Sequence, residues 1–316
     1  MVILKKLGQL LVTVILVTLF ASLLLELLPG DPVEVLIPSG SDEQRADLRE
    51  ELRLDDTFAQ RYSRWLGNFA TGDMGNYYTV SSDRPVAERL WDSLPVSLLL
   101  MFYAQVLALL IAIPLGVLTA YRRDTWFDRM SNASAFAMLA IPNFALGFVL
   151  QYYLGVKLGW FKVTGYAAPS ENFVEHIQYM ILPTITLAVG QIAIYMRLLR
   201  SDMIATLQQD FILMAKAKGL KSKRILFRHA LRPSSLTLLT VAGLNVGTLI
   251  GGALIVEVVF GLPGMGLMLF EAIGKRQIVA FQSMVAVIAI LYILVNFAVD
   301  ILYTVLDPRI RHASKS

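Results

Sequence analysis

Residues 210–233 read DFILMAKAKGLKSKRILFRHALRP, a basic segment between two long hydrophobic stretches. Asp210 can cap a first short helix, and Gly219 can end it in a left-handed conformation. Ser222 can cap a second helix, which we expect to stop before Pro233. Helices this short are not stable alone in water, so both should pack on something.

The first of these two helices has an apolar, small-residue face. Phe211, Ile212 and Ala215 lie on it, beside Lys216 and Lys218. We expect this face to sit in the groove of a partner protein.

The composition around this segment is that of a membrane protein. Of the 316 residues, 56% are hydrophobic and 16% charged, and the mean hydropathy is +0.61. Soluble domains do not have this composition. The absence of cysteine excludes disulfides and thiolate chemistry, and three histidines far apart in sequence argue against a zinc site. The pI near 9.2 could suggest nucleic acid, but the distribution of charge along the chain argues against it.

Six apolar stretches are long enough to cross a hydrocarbon core of about 30 Å as helices. The first follows Lys5 and Lys6 but is too long for a signal peptide, so we interpret it as an anchor. The predicted spans are Leu7–Leu28, Leu94–Ala120, Ser131–Val156, Ile177–Leu199, Leu236–Val259 and Val279–Leu306.

Basic residues predict the orientation of these spans. With the N-terminus inside, the cytoplasmic segments carry 17 lysines and arginines and the outer segments 11. Seven of the outer ones fall in 29–93, which also holds thirteen acidic residues. Since short loops dominate the positive-inside rule, we expect a multi-pass protein of the cytoplasmic membrane with both termini cytoplasmic.

The outer segment 29–93 is too polar to enter the membrane. Asp42–Leu54 predicts an amphipathic helix. A second group of apolar residues at helical spacing is suited to lying at the membrane interface; it consists of Tyr62, Trp65, Leu66 and Phe69. The segment is either a folded loop or an outer platform that contacts another protein.

Small and polar residues inside the spans are candidates for helix packing or for lining a polar path across the membrane. Gly243, Gly247 and Gly251 form one stripe on the fifth span. The stripe either packs against another helix of the same chain, or it lies at an interface with a second subunit or lines a path across the membrane. Asn245 lies on another face of that helix and is a pathway candidate. Polar residues in spans usually face protein or water; further such residues are Gln105, Gln191, Asn296 and Asp300, the last two sharing a face.

Helix breakers mark two further features. Pro114, Pro142 and Pro183 should kink or locally open their spans. The apolar turn Gly261–Gly266 could form a re-entrant or gate-side loop, with its large side chains dipping into the membrane surface. Those side chains are Phe260, Leu262, Met265 and Leu267, and the gate candidates are Phe260, Pro263, Gly264 and Gly266.

No catalytic motif occurs in the sequence. It lacks the GxxxxGK[ST] phosphate loop, GxSxG and HExxH. We therefore expect no enzymatic activity and no cofactor bound by this chain.

Five short motifs in order resemble the permease subunits of ATP-binding-cassette (ABC) importers, in the dipeptide and oligopeptide branch. The segment 210–219 is similar to their cytoplasmic EAA loop, in the variant AxAKG. The other four motifs are Leu28–Pro32 (LPGDP), Arg64–Asn68 with Gly72–Gly75 (RWLGN and GDMG), Phe260–Gly266 (FGLPGMG) and Leu306–Ile310 (LDPRI). The acidic residue of the wider family's Glu-Ala-Ala is absent, because Leu213-Met214-Ala215 stands there.

This resemblance implies an all-α, type I importer-like bundle of six transmembrane helices with a periplasmic segment between the first two. It implies four regions: 1–28, the extracytoplasmic 29–93, the core 94–306 with its coupling loop 201–233, and the tail 307–316. It also implies that a coupling helix docks on an ATPase; its residues here are Asp210, Phe211, Ala215, Ala217 and Gly219.

The partners implied are a second permease, two ATPase subunits that bind ATP and Mg²⁺, and an extracytoplasmic binding protein. The cargo is a di- or oligopeptide, with glutathione or a nickel chelate as alternatives. An ion-coupled secondary transporter is the rival from another class, but the sequence shows no convincing repeat and few ionisable residues in the span centres.

Overall fold

The computed structural model describes residues 2–78 and 84–306, with side chains for 8–78, 84–299 and 301. The predicted tail 307–316, most of the Leu306–Ile310 motif and the side chain of Asp300 lie outside this part. The elements in chain order are α1 (Val2–Glu26), α2 (Pro32–Leu36), α3 (Asp42–Glu51), α4 (Phe58–Ala70), β1 (Asn76–Tyr77), β2 (Arg84–Pro85), α5 (Val86–Tyr121), α6 (Trp126–Ala140), α7 (Asn143–Leu150), α8 (Phe173–Leu207), α9 (Asp210–Ala217), α10 (Ser222–Arg224), α11 (Leu231–Phe260), α12 (Met265–Gly274) and α13 (Ile278–Leu306). The two strands pair antiparallel, with Asn76 opposite Pro85.

Five helices of the described chain are long and apolar enough to cross a membrane. They are α1, α5, α8, the helix that runs from Ser222 to Phe260, and α13. The remaining candidate is the pair α6 and α7, which would make six if the bent pair is one span. The predicted all-α membrane fold is confirmed.

The third predicted span is broken at Pro142. Ile141 is extended (φ −89°, ψ 120°), and the two halves of the span meet at 100°. The ring of a proline pushes the preceding residue out of the helical region, which explains why the chain bends here. The kink predicted at Pro142 is confirmed, whereas α8 continues without a break across Pro183.

The prediction that the second cytoplasmic helix stops before Pro233 is wrong. Lys221, rather than Ser222, is the N-cap of α10, with no side-chain hydrogen bond. The helix then passes through a π-helical segment, Ile225–Ala230, directly into α11. A π turn is wider than an α turn, so it leaves room for the proline ring near the preceding carbonyl groups.

The chain divides into two compact units: unit 1, Met1–Ser97 with Pro263–Ile293, and unit 2, Leu98–Leu262 with Leu294–Ser316. In unit 1 the apolar face of α4 is buried within the protein. Tyr62 and Trp65 pack against Val14 of α1 and Ala286 of α13. Two helices of the chain therefore cover Tyr62 and Trp65, while Leu66 and Phe69 on the same face are only partly buried.

The predicted helix after residue 41 is confirmed as α3. Ser41 and Gln44 form a capping box at its start. Leu48 is buried against Val33 and Leu36 of α2. The helix ends at Glu51 rather than at the predicted Leu54. The contacts of Leu48 with α2 give the outer segment of unit 1 a small apolar core of its own.

One serine of α13 holds the RWLGN and GDMG motifs together. The Ser283 hydroxyl accepts a 3.0 Å hydrogen bond from Trp65 Nε1 and donates a 2.8 Å bond to the Met74 carbonyl. Gly75 adopts φ +74°, and a Cβ there would collide with the side chain of Val279. The GDMG turn therefore lies directly on α13.

The LPGDP motif is a helix-to-helix turn. Gly30 takes φ +104°, and Asp31 caps α2 by accepting a 3.0 Å bond from the Val33 amide. Pro32 occupies the first turn of α2, where its missing N–H costs nothing. The guanidinium of Arg276 donates to carbonyl oxygens at the end of α1 and beyond it, a favourable site for a cation. Those carbonyls belong to Leu25, Leu28 and Pro29.

The turn after α11 is built on Gly261, which has φ +61°. Leu262 N bonds to Glu257 O and Gly261 N to Val258 O, which ends the helix in a Schellman motif. Phe260, Leu262 and Met265 are buried. The expectation that these three side chains dip into the membrane surface is therefore wrong.

Candidate coupling surface and intramembrane polar cluster

The predicted coupling helix is α9, eight residues from Asp210 to Ala217. Gln209, not Asp210, is its N-cap, and no side chain caps it. Asp210 is the first helical residue, where a carboxylate still interacts favourably with the positive end of the helix dipole. The predicted cap by Asp210 is therefore wrong, although the helix begins where expected.

The end of α9 confirms the prediction for Gly219. Its φ is +74°, Gly219 N bonds to Lys216 O at 2.9 Å, and Leu220 N bonds to Ala215 O at 3.2 Å. These two bonds form a Schellman motif, which fixes the direction in which the chain leaves the helix. A Cβ at Gly219 would meet no atom within 4 Å, so the backbone conformation alone demands glycine.

Helix α9 has a buried side and an exposed side. Ile212 and Ala215 are buried, although the sequence placed them on the partner-facing surface. Phe211, Leu213 and Met214 are 46%, 55% and 58% exposed, an unusual concentration of large apolar side chains. Lys216, Ala217, Lys218 and Gly219 are exposed beside them. Phe211, Leu213 and Met214 form what we call the coupling patch.

Both ends of the loop that carries α9 are fixed. The Ser234 hydroxyl of α11 donates to Thr206 Oγ1 near the end of α8, at 2.9 Å. Ile225 and Leu226, in the π-helical segment against which α9 packs, are buried. A displacement of the coupling patch would therefore be transmitted to α8 and α11 with little loss.

A buried ion pair joins α6 to α8 near the same loop. Arg200 binds Asp128 through two 2.6 Å hydrogen bonds, from Nε to Oδ1 and from Nη2 to Oδ2. Asn132 Nδ2 donates to Asp128 Oδ1 at 2.8 Å, and the Asp124 amide donates to Oδ2 at 3.0 Å. Asp128 is only 3% exposed. The sequence alone did not single out this pair, because Asp128 has the ordinary pattern of an acidic residue in the first turn of a helix.

Three of the predicted pathway residues belong to one polar cluster in unit 2. Tyr195 OH donates to Gln105 Oε1 at 3.1 Å, and Gln105 Nε2 donates to the Ala242 carbonyl at 3.3 Å. Asn245 Nδ2 donates to Gln191 Oε1 at 3.1 Å. The cluster connects α5, α8 and α11, so these amides have partners within the chain. Asn296, another polar residue of the spans, is partly buried.

The predicted glycine stripe does not form a uniform surface. A Cβ on Gly243 would lie 2.8 Å from Val299, so this glycine permits close packing against α13. Gly247 is buried, whereas Gly251 is exposed and has no neighbour within 4 Å of its Cβ position. Among the gate candidates, Gly264 and Gly266 are buried and Pro263 is exposed.

The part of the chain that the structure describes contains no group of three or more His, Asp or Glu side chains placed to hold a metal ion. The features described above are an exposed apolar patch, a buried ion pair and an amide cluster.

Comparison with known proteins identifies this arrangement. Residues 112–312 match the family described as "Binding-protein-dependent transport system inner membrane component". The oligopeptide transport system permease protein AppB of Bacillus subtilis is 37% identical over 299 residues, covering 94% of each chain. The di/tripeptide transport system permease protein DppB of Pseudomonas aeruginosa is 34% identical over 334 residues, covering 98% of each chain.

A solved structure shares the fold. It is an inward-facing form of the MetNI methionine ABC transporter, which matches with a TM-score of 0.57 at 19% identity. The match covers 69% of this chain and 96% of that one. The type I importer bundle predicted from the motifs is therefore confirmed at the level of fold.

Proposed function

Because the chain belongs to the family of binding-protein-dependent transport system inner membrane components, we propose that it is a permease subunit of an ABC importer for di- and oligopeptides. The observation that carries this proposal is full-length similarity to several permeases named for peptide transport, at 31–37% identity. The chain is a multi-pass inner membrane protein. In our proposal both of its termini are cytoplasmic and α9 faces the cytoplasm.

The partners in this proposal are a second permease, two ATPase subunits that bind ATP and Mg²⁺, and an extracytoplasmic binding protein. The coupling patch supports the ATPase contact, since large apolar side chains exposed beside lysines suit a groove on another protein. Ala215 is buried, so we assign it the role of holding α9 in place rather than touching the ATPase. The absence of a phosphate loop from the sequence agrees with ATP hydrolysis on separate subunits.

The proposed mechanism is a rigid displacement. When ATP draws the ATPases together, α9 moves with the groove that holds it, and its anchored loop moves the ends of α8 and α11. A shift of the transporter from 1:99 to 99:1 between two states needs about 5.5 kcal/mol of differential ATP affinity. A loop fixed by Gly219 and by the Thr206–Ser234 bond transmits such a force better than a flexible one.

The outer part of unit 1 is the proposed landing surface for the binding protein. Its α2, α3 and α4 are folded against the chain's own helices rather than loose. Its net negative charge offers a basic partner a complementary surface. The cargo could also be glutathione or a nickel chelate, since binding proteins usually make this selection; no observation favours these over peptides.

The test is purification of the tagged chain from its native membrane, followed by mass spectrometry and an ATPase assay. We expect a sister permease, two ATPases and hydrolysis that increases when binding protein and peptide are added. The matched control is Phe211→Ser with Met214→Ser, which should lose the ATPases but retain the sister permease. A chain that purifies without an ATPase after gentle crosslinking, yet transports with an ion gradient, would contradict the proposal.

A further inference from the structure

A groove of about 480 Å³ runs along unit 2 where α6, α8 and α11 meet. Its lining is mixed. Phe136 and Val241 contribute apolar surface, and Arg197, Arg200 and Ser201 contribute polar groups. Binding pockets for small molecules have this size and this combination of apolar walls with a few converging polar groups.

The groove has an excess of one positive charge. Arg200 and Asn132 are both engaged with Asp128, and the charges of Arg200 and Asp128 cancel. Arg197 forms no hydrogen bond or ion pair with any residue that the structure describes. Its guanidinium carbon lies 4.0 Å from the centre of the Phe136 ring.

The position of Arg197 along α8 makes it informative that this side chain has no ionic partner among the described residues. Arg197 lies ten residues before the end of α8 at Leu207, which is roughly 15 Å along the helix. Arg197 also lies within three residues of Leu199, the cytoplasmic end of the predicted span, where arginine side chains normally reach water or pair with another group. Stacking on Phe136 holds the guanidinium plane and leaves the N–H groups at its edge free to bind two oxygens of one anion.

We propose that this groove binds the C-terminal carboxylate of a peptide during its passage, with Arg197 as the anchor. The inference rests on the proposed function and deepens it. A carboxylate supplies the one negative charge that the groove lacks, and its two oxygens match the edge of a guanidinium. Every linear peptide carries this group whatever its side chains, so a site for it accepts peptides of any sequence. The phosphate of an acidic lipid offers similar chemistry, so the test must separate the two.

The sequence makes a direct experiment possible, because the chain has no cysteine. Ser201→Cys places a single thiol in the groove, and its labelling is followed by mass spectrometry of this chain in the complete importer, held in nanodiscs of zwitterionic lipid. We expect an anionic methanethiosulfonate reagent to react faster than a cationic one of similar size. A dipeptide with a free carboxylate should protect the thiol, and its C-terminal amide should not.

Arg197→Gln added to this variant should lower the preference for the anionic reagent, and the protection by the free dipeptide, by about tenfold, as expected for losing a hydrogen bond to a charged group. Arg197→Lys should restore part of both, because it keeps the charge. Arg129→Gln is the matched control: it removes the same charge from an exposed residue of α6 outside the groove, and should change neither.

Three results would overturn the proposal: equal protection by dipeptide and amide, protection by acidic lipid in a second nanodisc preparation that contains it but not by peptide, or a thiol that no reagent reaches. Failure of the proposed function is distinct, because the importer would then show no peptide uptake before any substitution. Normal uptake together with peptide protection that Arg197→Gln leaves unchanged overturns the carboxylate site alone.

Discussion

Arg200 and Asp128 form a two-bond ion pair, with Nε and Nη2 each 2.6 Å from a carboxylate oxygen, although the two residues are 72 positions apart. The pair is buried, and the remaining capacity of the carboxylate is filled by Asn132 and by the Asp124 amide. A buried pair of this kind does little for stability compared with apolar replacements, but breaking it is costly. It fixes α6 against α8 close to the loop that carries α9.

Asp128→Asn should destabilise the protein by about 3–5 kcal/mol, because the guanidinium of Arg200 is left buried without a counter-charge. The measurement is thermal unfolding of the purified complex in detergent. Asp128→Leu with Arg200→Met should cost less than Asp128→Asn alone, because no buried charge remains. A double variant that is less stable than the single one would show that the pair itself supplies the stability.

Gly219→Ala should cost about 1–2 kcal/mol of local stability and should uncouple hydrolysis from uptake, because φ +74° is unfavourable for residues with a Cβ. Gly219→Val should be worse and Gly219→Asn milder, since asparagine tolerates the left-handed region. The assay compares peptide-stimulated ATPase activity with uptake in proteoliposomes. There is open space around the Cβ position, so equal behaviour of all three variants would remove backbone conformation as the reason for glycine.

The two sides of α9 should respond differently to substitution. Ile212→Ala should destabilise the protein by about 2–4 kcal/mol, because it leaves a cavity at a fully buried position. Met214→Ala, on the exposed side, should leave the melting temperature unchanged and weaken ATPase binding. Co-purification together with thermal unfolding separates the two effects. Loss of the ATPase from Ile212→Ala at wild-type stability would contradict this division.

Ser283→Ala should destabilise unit 1 by about 1–3 kcal/mol, because the indole N–H of Trp65 and the carbonyl of Met74 both lose their partner. The readout is hydrogen exchange in α4 and in the 72–75 turn, which should become faster. Ser22→Ala is the comparison, since that hydroxyl accepts only from Gln282 and donates to a carbonyl of its own helix. An effect of Ser283→Ala confined to α13 would argue against the bridging role.

Tyr77 should make stability fall at alkaline pH. Burial raises the pKa of its phenol above the usual 10.0; the nearby Arg89 guanidinium opposes this rise and the Glu271 carboxylate adds to it. Above about pH 10 the unfolded chain therefore loses this proton while the folded chain keeps it, so unfolding becomes more favourable as pH rises. Tyr77→Phe should abolish this part of the alkaline loss. A Tyr77→Phe protein whose stability has the same pH dependence as wild type would exclude Tyr77 as its source.

Local chemistry predicted much of this molecule. The spans follow from hydropathy, the bend follows from Pro142, and the end of α9 follows from Gly219, since each depends on residues adjacent in sequence. Asp42 opens α3 as expected because Ser41 and Gln44 form its capping box. The polar residues selected inside the spans were also informative, since three of the four with described side chains belong to one cluster.

The predicted caps at Asp210 and Ser222 and the stop before Pro233 failed locally, whereas the other failures depended on partners distant in sequence. The apolar face of α4 could not be assigned to protein rather than lipid without knowing that Val14 and Ala286 cover it. The inward side of α9 depends on the π-helical segment beneath it, which an α-helical pattern cannot predict. Ser283 is one small polar side chain in a mostly apolar span, and only the position of Trp65 shows its role as a hydrogen-bond partner.

The bonds from Arg276 to the end of α1 have a consequence for the order of biosynthesis. Arg276 and Pro29 are 247 residues apart, and all of 98–262 lies between the two segments of unit 1. The first span therefore leaves the ribosome long before the group that caps its carbonyls exists. Unit 1 can close only after nearly nine-tenths of the chain has been translated, whereas most of unit 2 is already available. We expect a nascent chain halted after Leu262 to expose α4 to proteases, and one halted beyond Ile293 to protect it.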